Sequence, residues 1–177
     1  KSYQEIYDVM SAATEEDATR LGVTEDAKTK NFDNFVIYLL ICAHDTEKVE
    51  LLKKVQEKYA RELEAAGRLQ HFVNKVLSTE LLPLNENEIT KEMANYEPFI
   101  QTTENSVLHG REFVRQLIQH NIRIIEMYYS RIKIATLANL IGVSQERAET
   151  ELCDMVVNER ISAKINRLEW VVQFIKK

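Results

Sequence analysis

The sequence predicts a mostly α-helical chain in which antiparallel helix pairs, as in a helical repeat, lead into a winged-helix domain with a small β-hairpin wing. Only four glycines and two prolines interrupt 177 residues, and the stretches between them follow the 3.6-residue apolar spacing of helices rather than strand alternation. From Gln119 to Ile175 the order is a long amphipathic helix, a short β-like Arg131-Ile132-Lys133-Ile134, a helix-turn-helix run from Ala135 to Ser144, a helix to about Asn158, and two β-rich stretches. With 45% hydrophobic and 29% charged residues, the composition is that of a globular chain with a sizeable core. The expected division is a partial helical-repeat arm over 1–110 and the winged helix over 111–177.

Tyr3 to Thr19 reads as a helix with Tyr3, Ile6, Tyr7, Met10 and Ala13 on one side, followed by an acidic linker to about Asn31. Asn34 to Ala43 is expected to be a short buried helix. Asp45 can cap the next, in which Val49, Leu52, Val55, Tyr59 and Leu63 form a stripe ending near Gly67. Arg68 to Leu82 repeats the pattern with Leu69, Phe72, Val73, Val76 and Leu77 before Pro83. One helix is expected between Asn85 and Glu112, a segment that also holds Pro98 and Thr102-Thr103.

From Phe113 to Tyr129 the spacing of Val114, Leu117, Ile118, Asn121, Ile125 and Tyr128 fits one helix face, and Ser130 closes it. Gly142 suits the tight turn of the helix-turn-helix. Ser144 is an N-cap whose capping box is incomplete, because Arg147 stands where an acid is usual. Ile161 to Ile165 and Val171 to Ile175 are strand-like, joined by a turn at Asn166 to Glu169. Alternation then places Ile161, Ala163 and Ile165 toward the core and Ser162, Lys164 and Asn166 outward, with Val172 and Phe174 sharing a buried face.

The chemistry of an enzyme is not visible. His44, His71, His109 and His120 are scattered without zinc-ligand spacing, and His120 is expected at the helix surface or partly packed. The glycines are isolated, so no phosphate-binding loop is expected, and Ser144 has no neighbouring base. The charges of Glu47, Lys48, Glu50, Lys53 and Lys54 read as a solvated helix face. Cys42 and Cys153 sit in separate apolar stretches and are expected to be buried free thiols. The longest apolar run, Phe35 to Ala43, is about half the roughly 20 residues a membrane span needs. Nothing at Lys1 to Glu5 resembles a basic-then-apolar signal peptide, and a start at Lys1 is expected of a piece excised from a longer protein.

Charge separates two functional classes. Residues 1–110 hold 12 basic and 20 acidic groups, a net of −8, whereas 111–177 hold 11 and 8, a net of +3. A DNA-reading helix needs positive charge, yet Ser144 to Asn158 carries Glu146, Glu149, Glu151 and Asp154 against Arg147 alone. The expectation is therefore a protein partner and no specific nucleic acid, with a nucleic-acid-binding winged helix as the alternative that the +3 favours. Trp170, Tyr128 and Tyr129 fit either partner anchors or packing beneath the wing; Tyr128 is expected in the core, and Trp170, beside a turn, stands as an interaction candidate.

The blocks His120-Asn121-Ile122-Arg123, Tyr128-Tyr129-Ser130-Arg131-Ile132, Leu137-Ala138-Asn139-Leu140-Ile141, Val156-Val157-Asn158 and Ala163-Lys164-Ile165-Asn166-Arg167-Leu168, in this order, resemble a PCI domain. Within that family the chain is similar to the subunits of the proteasome regulatory-particle lid, most strongly over Gln119 to Phe174 and more weakly upstream. The resemblance implies a non-catalytic scaffold, cytoplasmic and nuclear, that assembles with other PCI subunits of the lid in support of ubiquitin-dependent degradation. It implies no cofactor, metal, membrane or small-molecule substrate. It also implies a helical tail beyond the wing, expected to be absent from this chain. The equivalent signalosome subunit is the alternative within the family. A wing leaves an unpaired strand edge that a neighbour can extend, so the candidate interaction residues are Arg131, Lys133, Ser162, Lys164, Asn166 and Trp170.

Overall fold

The structure is a computed structural model and describes residues 25–99 and 104–175. The helix expected over Tyr3 to Thr19 lies outside the described residues. By contact these residues divide into two compact units, 25–74 with 94–109 and 75–93 with 110–175.

In the first unit, α1 runs from Glu25 to Ile41, so the expected linker is already helical from Glu25. Its core face is continuous, with Phe32, Phe35, Val36, Ile37, Leu39 and Leu40 buried. α2 (Thr46–Lys58) starts as its sequence dictates: the Asp45 carboxylate accepts the Lys48 N–H at 2.7 Å. Lys48 itself departs from expectation. Instead of joining a solvated face it is buried, and its ammonium donates to the carbonyls of Leu40 at 2.8 Å and Cys42 at 2.6 Å. It thereby satisfies acceptors that the end of α1 leaves unpaired, with favourable charge against the helix dipole.

The single helix expected up to Gly67 is broken at Tyr59, whose backbone leaves the helical region while its ring packs on Phe32 at 5.7 Å between centroids. α3 (Ala60–Ala65) follows and ends at Gly67, held at φ 53°. α4 (Arg68–Leu77) buries Leu69, Phe72 and Val73 and stops well short of Leu82.

Between Asn85 and Glu112, where one helix was expected, there are α5 (Glu86–Met93), a 3₁₀ turn at Glu97–Phe99 and the start of α6 (Glu104–Tyr128). From Gly110 onward α6 is the axis of the second unit. It buries Phe113, Leu117, Ile118, Ile122 and Ile125 together with four polar residues, Gln116, Gln119, His120 and Asn121. His120, expected at or near the surface, is 3% exposed.

Asn121 explains one of these polar positions. Its amide accepts the Leu82 N–H at 2.8 Å and donates to the Leu82 carbonyl at 2.6 Å, pairing a strand-like segment as a neighbouring strand would. Two residues on, the Leu84 N–H donates to the Ile141 carbonyl at 2.8 Å, at the helix-turn-helix. Gly142 is required there: φ is 87°, and a methyl group would meet the Leu84 oxygen at 2.4 Å.

α7 (Ile134–Ile141) and α8 (Gln145–Val157) seal against this axis through Ile134, Leu137, Ala138, Ile141, Ala148, Leu152 and Met155, all buried. Ser144 caps α8 as expected, accepting the Arg147 N–H at 3.2 Å. β1 (Arg131–Lys133), β2 (Ala163–Asn166) and β3 (Val171–Phe174) form an antiparallel sheet in the order β1-β3-β2. Cys42 and Cys153 are free thiols, half-buried rather than buried. Among the described residues no helix is long and apolar enough to cross a membrane.

Candidate interaction surface

The sheet places the functional candidates by two locked alternations. In an antiparallel sheet both the side-chain direction and the direction of the backbone N–H and C=O reverse at every residue. Arg131, Gln173 and Lys164 are in register, as are Lys133, Val171 and Asn166, so these residues share one face. Ile132, Val172 and Ile165 make the opposite row, against the core.

The bonds flanking the strands fix where the backbone points. The Phe174 N–H donates to Ser130 and the Ile134 N–H to Trp170, each at 2.9 Å, so the even-numbered residues of β1 face β3 and Arg131 and Lys133 turn their backbone groups to the outer edge. On the other side the Ile175 N–H donates to Ser162 at 2.7 Å. Ser162, Lys164 and Asn166 therefore bond inward to β3, and the free groups of the β2 edge belong to Ala163 and Ile165. The strand expected to offer Lys164 as its edge residue offers its two neighbours instead. Alternation already contained this result, but using it requires knowing that β3 lies in the middle.

The six candidates separate accordingly. Lys164 is exposed on the outer face, whereas Ser162 is half-buried. Arg131 is exposed and ion-paired with Glu169 at 2.6 Å. Lys133 is exposed and is the residue from which α7 starts. The Asn166 side chain works within its own turn, accepting the N–H groups of Leu168 at 3.0 Å and Glu169 at 3.3 Å. Trp170 is 52% exposed with φ 52°, a strained conformation for a bulky residue, held by its carbonyl's bond from Ile134.

One aromatic expectation is corrected, and the acid count of α8 gains a structural meaning. Tyr128 does not pack beneath the wing: it is 67% exposed. The buried stripe of α6 ends at Ile125, and Tyr128 and Tyr129 stand beside an open groove of about 560 Å³ lined also by Thr79, Glu80, Leu81 and Ile124. Nor does the acid count of α8 make an open acidic face. Glu151 is buried and bonded to Arg115 and Arg147, each at 3.2 Å; Asp154 pairs with Arg115; Glu149 pairs with Arg167 of the wing turn at 3.1 Å. Burial opposes the charge of Arg115, but its bond to Asp154 and the charges of Glu112, Asp154 and Glu151 outweigh this and hold the guanidinium above its ordinary range. Three of the four carboxylates are thus spent inside the domain. Arg147 apart, these partners lie far away in sequence, so a local count could not find them.

Among the described residues no group of three or more histidines, cysteines or carboxylates is placed to hold a metal ion. What the surface presents is backbone edge, charged side chains and exposed aromatics, the materials of protein contact.

Similarity to known proteins follows the same outline. The chain is 27% identical over 178 residues, 99% of its length and 38% of the relative, to the 26S proteasome regulatory subunit rpn501 of Schizosaccharomyces pombe. It is 28% identical over 175 residues, 98% of its length and 36% of the relative, to the 26S proteasome non-ATPase regulatory subunit 12 of Dictyostelium discoideum. A shorter likeness, 31% over 84 residues, covers 47% of the chain and 20% of the COP9 signalosome complex subunit 4 of Caenorhabditis elegans. The chain spans less than two fifths of the length of these relatives. The model of the PCI domain matches residues 70–176, more than half of the chain and all of the helix-turn-helix and sheet, and the chain accordingly belongs to the PCI domain family.

Proposed function

We propose that this chain is part of a non-catalytic scaffold subunit of the proteasome regulatory-particle lid, joined to neighbouring PCI subunits through the free edge of β2. The observation that carries the reading is likeness to 26S proteasome regulatory subunits over nearly the whole chain. The edge supplies a mechanism: a neighbour's strand bonds to the backbone of Ala163 and Ile165, while Lys164 and Ser162 on the outer face, with Arg131, Lys133, Asn166 and Trp170 around them, set specificity. In this reading 1–110 is the helical arm and 111–177 the winged helix, the subunit acts in cytoplasm and nucleus without a cofactor, and it has no specific nucleic-acid partner. The only basic residue of α8, Arg147, is already bonded to Glu151, which supports the last point.

A second reading, the equivalent signalosome subunit, draws on the 31% identity to COP9 signalosome complex subunit 4. Mass spectrometry of proteins co-purifying with the full-length subunit separates the two. Ala163→Pro in that protein removes an outward N–H; with folding verified by circular dichroism, recovery of lid subunits is expected to fall. Wild-type recovery from the folded variant would sink assembly through this edge.

A further inference from the structure

On α6, Gln119 and Arg123 lie one helical turn apart, and Gln119 is fully buried. Its amide divides the surrounding charges. The Nε2 side donates to Glu151 at 3.2 Å, where Glu112, Glu151 and Asp154 gather with Arg115 and Arg147. The Oε1 side accepts from Arg160 Nη1 at 2.6 Å. Arg160 therefore reaches a neutral amide oxygen, and neither it nor the half-buried Arg123 has a carboxylate within ion-pair distance among the described residues.

We propose that Arg123 and Arg160 form a receptor for one carboxylate, supplied by an aspartate or glutamate side chain of a protein partner. Burial and the charge of Arg160 push the Arg123 guanidinium down to about 10, against the opposing pull of Glu126. Arginine keeps its proton in proteins, so a half-buried guanidinium without an ion pair favours an incoming negative charge. Glu126 attracts Arg123 without forming an ion pair with it, and burial raises its own carboxyl. Two guanidinium groups against one carboxylate leave a single positive charge, which matches another carboxylate better than a doubly charged phosphate. Arg160 is exposed, giving the ligand access from solvent, and the planar guanidinium suits bidentate binding. Calling the partner a lid neighbour rests on the scaffold reading; the receptor chemistry does not.

The test uses the whole chain and follows its arginine Nε–H signals by NMR. The probe is N-acetylglutamate α-amide, which carries one side-chain carboxylate, with N-acetylglutamine α-amide as neutral control and inorganic phosphate as the competing anion. The Arg123 and Arg160 signals are expected to shift together with a dissociation constant on the order of 10 mM, as for a weak, solvent-open ion pair. The neutral probe should leave them in place, and Arg160→Gln should abolish the shift at Arg123. Arg123→Met, which removes an unmatched charge, should melt no lower than the parent. Immobile signals, equal response to the neutral probe, tighter binding of phosphate, or a clearly lower melting temperature for Arg123→Met would each overturn the proposal. If the receptor binds its probe while Ala163→Pro assembles normally, the edge reading fails and the receptor stands.

Discussion

The two edges of the sheet are built on opposite terms. At β1 the residues that turn backbone groups outward, Arg131 and Lys133, are also those whose charged side chains occupy the outer face. At β2 the outward backbone belongs to Ala163 and Ile165, whose side chains face the core, while Lys164 and Asn166 keep theirs bonded to β3. Charge along an edge discourages strand addition, and β1 passes directly into α7 after three residues. β2 is four residues long, carries one charged side chain, Lys164, and runs into a turn instead of a helix. The difference teaches that an exposed lysine in a strand does not mark an open edge; strand order decides whether its backbone is free.

Four substitutions test the asymmetry. The largest effect is expected from Phe174→Ala, which truncates a 4% exposed ring on the strand shared by both edges and should destabilise the second unit by about 3 to 5 kcal/mol in urea unfolding. An unchanged midpoint would mean that β3 is not anchored through this face. Lys164→Pro should cost about 1 to 3 kcal/mol, because it removes an N–H directed at Gln173 and strands the acceptor.

Ala163→Pro, one residue earlier, should stay within about 1 kcal/mol of the parent, since its N–H faces outward. Comparing the two melts reads the parity of β2 directly, and a reversed order would exchange its bonded and free residues. The smallest change is expected from Arg131→Ala, where loss of an exposed ion pair is worth about 0 to 1 kcal/mol. Lid-subunit recovery should fall less than for Ala163→Pro, and a larger loss would make β1 the working edge instead.

What the sequence discloses depends on how far apart the interacting groups lie. The caps at Asp45 and Ser144 were legible because each bonds an N–H three residues on. The helix-turn-helix and its hairpin were legible because their periodicities are local. The break at Tyr59 was not, since the ring it follows belongs to Phe32 on another helix. Asn121 was placed on the core face of its helix by spacing, but its partner Leu82 is 39 residues away. The pairing of the α8 carboxylates was hidden for the same reason, Arg115 being 36 residues from Glu151 and 39 from Asp154. At the candidate surface the outward side chains of β2 were readable by alternation. The free backbone was not, because it depends on which strand takes the middle place.

Lys48 has a consequence in chemical reactivity. An amine attacks an acyl donor only after losing a proton, and here the ammonium is held by the carbonyls of Leu40 and Cys42 in a buried site. Lys53 and Lys54, on the same helix, stand exposed. Acetylating reagents and enzymes that modify lysines will therefore take those two first and reach Lys48 only when the joint between α1 and α2 opens. An acyl mark at this position would record past unfolding of the helix pair, making one side chain a memory of the chain's excursions from its native state.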